Sequence, residues 1–152
     1  MGGDGPDGAR PSTSEGVTAT PDLELKLPAR AENVAVIRHA FGGFAEALTV
    51  DEQTLADIKL AVTEACTNVV IHAYEEGEEG DLEVDATIEE DRLTVVIRDS
   101  GRGIVPRPDS PGLGLGLPLI ATLAESLELG KDRDDQTEVR MTFRLDEDRD
   151  PL

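Results

Sequence analysis

The stretch EACTNVVIHAY, residues 64–74, reads as the closing half of a helix that opens with Asp51 as its N-cap. Through that helix Leu55, Ile58, Val62, Ala65 and Val69 step by three and four, the spacing of one buried face. Glu64 and Asn68 are four apart and share a side that, at about 100° per residue, flanks the core stripe rather than pointing straight into solvent. A carboxylate and a carboxamide on such a shoulder can hold a metal ion and activate a hydroxyl. They also suit an ordinary solvated helix flank. His72, on the same side, reads as a structural histidine near the helix end, and Cys66 as a small packing residue.

Outward from this helix, the chain alternates between strand and helix patterns. Leu23, Leu25 and Leu27 alternate with polar residues until Pro28 ends the run, predicting a strand. A helix is predicted over residues 32–48 from Val34, Ile37, Phe41, Phe44 and Leu48, weakened or bent by the pair Gly42-Gly43. After a break at residues 75–80, Leu82, Val84, Ala86 and Ile88 alternate with acidic and polar residues, and Asp91 turns the chain into a second such strand with Leu93, Val95 and Ile97. A third helix is predicted over about residues 118–127, and a last strand carries Val139, Met141, Phe143 and Leu145. Two-faced strands of this kind imply an α/β two-layer sandwich, its sheet mixed and mostly antiparallel, with helices on one face.

Two further motifs carry possible chemistry. In DSGRGI, residues 99–104, Asp99 continues the parity of Leu93, Val95 and Ile97, which sets its carboxylate at the end of an inward-facing row. Burying it requires donors. Gly101 and Gly103 remove side chains just beyond, which fits either a tight turn or close approach of a ligand. In PGLGLGLPLI, residues 111–120, Gly112, Gly114 and Gly116 run into the start of the third helix, an arrangement whose backbone amides suit phosphates. Neither common phosphate loop is present: Gly130-Lys131 is followed by Asp132, and the glycine spacing is not that of GxGxxG.

Composition bounds the remaining readings. The 152 residues include 33 acidic and 14 basic side chains, a formal net charge of -19, which disfavours direct binding of nucleic acid or anionic membranes. A hydrophobic share of 38% is enough for one compact core. One cysteine and two histidines exclude a disulfide framework and a Cys/His zinc cluster. Neither a leader pattern nor an apolar run approaching ~20 residues is present, so a cytoplasmic protein is expected. Residues 1–21, rich in Gly and Pro, read as a disordered tail, residues 22–146 as the domain and residues 147–152 as a charged tail.

A helix with Glu-x-x-x-Asn, a strand ending in Asp-x-Gly-x-Gly and a Gly-x-Gly helix start, in that order, resemble the ATP-binding Bergerat fold shared by gyrase, Hsp90, histidine kinases and MutL. More closely, EACTNVVIHAY, DSGRGI and GLGLPLI resemble the anti-sigma factor serine kinases of bacterial sporulation and general-stress switches, from LPAR at residue 27 to RMTF at residue 143. The resemblance implies ATP with Mg2+, Asn68 as the magnesium ligand and Glu64 as general base for a serine hydroxyl. It also implies Asp99 as acceptor of the adenine amino group, Gly101 and Gly103 passing the base, Gly114 and Gly116 cradling phosphates, and Thr137 near adenine. The implied partners are a sigma factor and a STAS-domain anti-anti-sigma factor, and homodimers are usual in the resembled family.

Two positions depart from the family pattern. Gln136 stands where a glycine usually precedes the threonine, and the segment between Gly103 and Gly114 is short for a lid, with Arg102 and Arg107 its nearest arginines. A non-catalytic ATP-binding module whose nucleotide state selects its partner is therefore the alternative expectation. A histidine kinase half fits poorly, since neither His39 nor His72 lies in a phosphoacceptor motif.

Overall fold

Alternation of leucine with charged residues makes β1 (Leu23–Pro28), an edge strand whose terminal Pro28 needs no further ladder donor. It pairs antiparallel with β2 (Asp81–Glu89), which turns through Glu90 and Asp91 into β3 (Arg92–Asp99). The computed structural model describes residues 20–74, 78–101 and 116–145. Within them five strands run in the order β1-β2-β3-β5-β4, with β4 (Ser126–Lys131) and β5 (Thr137–Arg144) completing a sheet in which every neighbouring pair is antiparallel. The expected two-layer α/β architecture is what forms.

Helices cover one face. The register aligns Ile97 with Val84 and Val139, and Val95 with Ala86 and Met141, so one row of apolar side chains after another faces the same way. Against these rows pack Val34, Ile37 and Phe41 from α1 (Ala31–Glu46) and Ile58, Val62 and Ala65 from α2 (Glu52–Asn68). Each such side chain, taken fully out of water, contributes roughly 1.5–3 kcal/mol. Asp51 caps α2, its carboxylate accepting from the Thr54 amide at 2.8 Å. The opposite sheet face is polar, and there Arg98 meets Asp85 at 2.8 Å, Glu138 at 3.1 Å and Asp132 at 3.6 Å.

Two expectations change. The α-helix does not run unbroken through Tyr74: it ends at Asn68 and widens into a π-helical turn (Val69–Ala73), so His72 no longer simply repeats the Glu64 and Asn68 side. The third helix, α3 (Gly116–Leu123), begins and ends earlier than expected, and Ser126 and Leu127 belong to β4 instead. Leu127 fits the helical spacing from Ile120 and also the strand alternation with Leu129; pairing of Leu127 with Met141 and Leu129 with Val139 decides for the strand. Gly42 and Gly43 do not interrupt α1. Gly42 is buried where the Lys59 side chain passes, whereas Gly43 is exposed with nothing near its missing β-carbon.

Gly43 therefore weakens α1 through backbone entropy alone. Gly43→Ala is expected to raise stability by about 0.5–1 kcal/mol in urea unfolding. Lower stability in the variant would show that the backbone at this position requires glycine after all.

Candidate functional site

The inward row of β3 ends in a carboxylate. Asp99 is 2% exposed, and the antiparallel register sets it beside Leu82 of β2 and Thr137 of β5, with Lys131 of β4 opposite Thr137. Asp99 and Thr137 are thus neighbours at one end of the sheet, as their parities predicted. The Gly101 amide donates to Asp99 Oδ1 at 2.9 Å, folding the chain back just beyond the strand. Burial pushes the Asp99 carboxyl above its ordinary value, while that amide and the Lys131 charge pull it back without cancelling the effect. Lys131 itself lies 3.7 Å from Asp135.

The corner before β5 accommodates Gln136 without glycine. Asp132 Oδ1 accepts from the Asp134 and Gln136 amides at 2.8 and 2.9 Å, and the left-handed residue is Asp135, with φ 68°. The departure at Gln136 thus leaves Thr137 on the inward face, buried.

Asn68, the last residue of α2, is 5% exposed. Its Nδ2 and Thr63 Oγ1 are, among the described residues, the buried side-chain polar atoms without a hydrogen-bond partner. An unpartnered buried amide is costly, and an ordered water, an ion or a ligand can satisfy it. Gly116, the first residue of α3, lies against it: a β-carbon there would sit 2.5 Å from Asn68 Nδ2. Glu64, one helical turn earlier, is partly buried. Cys66 faces the core, fully buried, and burial pushes its thiol up to about 12, so it is an inert packing residue as expected.

Three motifs far apart in sequence therefore meet at the end of α2. Gly116 contacts Asn68, and Gly101 lies so close to the Ala73 carbonyl that any β-carbon would overlap it. Gly103 and Gly114, like Arg102 and Arg107, fall outside the described residues. Sequence reasoning quoted Tyr74 inside the first motif without giving it a role, although its ring and hydroxyl touch the turn after Asp99. Its signal was being the chain's single tyrosine. Gly80 and Lys131 were also passed over; only the strand register reveals Lys131.

Comparison with known proteins shows the family and the fold. The family described as histidine kinase-like ATPase domain matches residues 27–143. A protein named serine-protein kinase RsbW from Halalkalibacterium halodurans is 37% identical over 125 residues, covering 72% of this chain and 76% of that protein. An anti-sigma F factor from Clostridium beijerinckii is 34% identical over 130 residues, covering 77% and 90%. A crystal structure of the RsbU and RsbW domains of a Mycobacterium tuberculosis protein superposes with a TM-score of 0.65 at 22% identity over 84% of this chain, which shows the fold. This chain spans 33% of that longer one.

The raised Asp99 carboxyl has a thermodynamic consequence. At pH below the ordinary aspartate value the group is neutral folded and unfolded; as pH rises through its raised folded value, the folded state loses a proton it held more tightly, and stability falls. Asp99→Asn keeps an acceptor for the Gly101 amide and removes the charge. At pH 7 and without ligand the variant should unfold at higher urea than the wild type, the gap closing as pH drops into the ordinary aspartate range. A variant less stable at pH 7 would show this carboxylate to be a net stabiliser.

Proposed function

Because the chain belongs to the histidine kinase-like ATPase domain family, with relatives named serine-protein kinase RsbW over most of its length, we propose that it is an ATP-dependent serine kinase and anti-sigma regulator. In this reading it sequesters a sigma factor and phosphorylates a serine on a STAS-domain anti-anti-sigma factor. The observation that carries the reading is the buried, unpartnered Asn68 amide held against the glycine start of α3.

The residues divide the work by chemistry. Asp99, buried with one oxygen engaged by the Gly101 amide, accepts from the exocyclic amine of adenine, and Thr137 beside it closes that end of the base pocket. Gly101 lets the base lie against backbone. Gly116 presents backbone rather than a side chain to the phosphates, where the start of α3 favours negative charge, and the resemblance gives Gly114 the same part and Gly103 that of Gly101. The Asn68 Oδ1 is a hard oxygen that suits magnesium, while the unpartnered Nδ2 is a donor that suits a phosphate oxygen. When bound, the ion supplies charge neutralisation at the phosphates. Among the described residues no cluster of three His, Cys, Asp or Glu side chains can hold a metal.

Glu64 takes the proton from the attacking serine hydroxyl, the new O–P bond forms at the terminal phosphoryl group, and ADP departs. The anti-sigma F factor relative supports the sigma partner. So does charge: an excess of 19 negative charges suits the basic, DNA-contacting surfaces of such factors and speeds encounter with them. A sigma factor acts in the cytoplasm, and among the described residues no helix is long and apolar enough to cross a membrane.

Two measurements test this. Calorimetric titration should show ATP binding that needs magnesium and weakens sharply in Asp99→Asn; unchanged affinity in that variant removes the adenine role. Labelled phosphate should appear on the antagonist, and Glu64→Ala should slow its appearance on the order of 10²-fold while ATP still binds. Wild-type protein that binds ATP yet transfers nothing would be a nucleotide-sensing module instead.

A further inference from the structure

β2 and β3 part company one step too early. Their ladder ends at the pair Leu82 and Asp99, so the next pair in register would be Asp81 with Ser100. Between those two residues lies the hydroxyl of Tyr74, donating to the Asp81 carbonyl at 2.8 Å and accepting from the Ser100 amide at 3.0 Å. The hydroxyl replaces a missing rung. It satisfies both backbone groups while holding the two strand ends apart by the width of one oxygen atom.

The ring has its own space. Tyr74 follows the π-helical turn in an extended conformation, φ -122° and ψ 148°. Its ring lies where a side chain on Gly80 would have to be, and its Cδ1 is 2.9 Å from where a β-carbon on Gly101 would stand. Gly80 and Gly101 thus form the two walls of a slot that one tyrosine fills. The same residue lines a cleft of about 420 Å³ with Pro28, Ala29, Arg30 and Gly80.

What the slot fixes is the turn after Asp99. The residue hydrogen-bonded to the tyrosine, Ser100, is followed at once by Gly101, whose amide returns to Asp99 Oδ1. Among the described residues this amide is the donor reaching that carboxylate. A turn held at Ser100 keeps Oδ1 occupied in a fixed direction, and fixing one oxygen of a planar carboxylate restricts the other, Oδ2, as an acceptor for one incoming N–H donor.

The geometry points to Tyr74 as a positioning residue for base selection: through its hydroxyl it orients the Asp99 carboxylate so that adenine is preferred over guanine. This rests on the reading of Asp99 under Proposed function. Adenine offers an amino group where guanine has a carbonyl oxygen, so a carboxylate held in one direction attracts the first and repels the second. A loosely held carboxylate discriminates less, because it can turn away from the oxygen.

The test is Tyr74→Phe in the full chain, which keeps the ring in its slot and removes only the hydroxyl. Affinities for magnesium-ATP and magnesium-GTP would be measured by titration, with unfolding midpoints taken without nucleotide so that binding is compared well below each transition. ATP affinity should fall about tenfold, the scale of one ordering hydrogen bond, with GTP affinity nearly unchanged, so the preference narrows about tenfold. In the phosphotransfer assay KM for ATP should rise by a similar factor with kcat largely kept. Equal weakening toward both nucleotides, or an undiminished preference for ATP, overturns the inference while leaving the Asp99 assignment standing. A wild-type protein that binds both nucleotides alike overturns the Asp99 assignment and this inference with it.

Discussion

Taking one carboxylate out of water governs the architecture at the functional end of this molecule. The parity of β3 that buries Leu93, Val95 and Ile97 also buries Asp99, because the register runs without a bulge to Asp99 and side chains alternate between the two faces. An inward aspartate at the sheet end requires donors, and the chain supplies the Gly101 amide and the positive charge of Lys131. Neither returns the carboxyl to its ordinary value. The glycine at position 101, the tyrosine that pins Ser100 and the register that lines up Thr137 and Lys131 all follow from accommodating that group.

The second requirement is that helix ends, not helix faces, meet at the site. Asn68 is the last residue of α2, where the widening into a π-helical turn brings Ala73 and Tyr74 toward β3. A regular helix would have continued its own hydrogen bonding and kept these residues on its surface. On the other side α3 begins with glycine because Asn68 already fills the space of a β-carbon. Backbone approach at Gly101 and Gly116 thus substitutes for side-chain packing, and it explains why three motifs separated in sequence converge at one point.

Much of this was legible in the sequence because period and parity are local properties. The stripe from Leu55 to Val69, the alternation in β2 and β3, and the inward parity of Asp99 and Thr137 are fixed by neighbours two to four residues away, so they are recovered without tertiary information. The strand β4 was not, because Leu127 satisfies both periods and only its pairing with Met141 selects one. The π-helical turn escaped for a related reason: the apolar run Val69, Val70 and Ile71 suits any helix, and the extra residue per turn is imposed by contact with the β3 turn. The role of Tyr74 depends on Asp81 and Ser100, remote residues that come together only through strand pairing. How the corner accommodates Gln136 was not legible, because the left-handed conformation there belongs to Asp135, one residue earlier.

Taken together, the site is the least self-sufficient part of an otherwise well-packed domain. The core side chains from Phe41 to Met141 complete one another, but Asn68 keeps an amide without a partner and Asp99 a carboxylate that burial disfavours. Native structures retain such groups where a ligand completes them. A ligand that supplies an acceptor to the first and a donor to the second binds the folded state alone, so its binding free energy adds directly to the stability of the region where α2, β3 and α3 meet. Under the proposed function, nucleotide and fold are then coupled through the same few atoms.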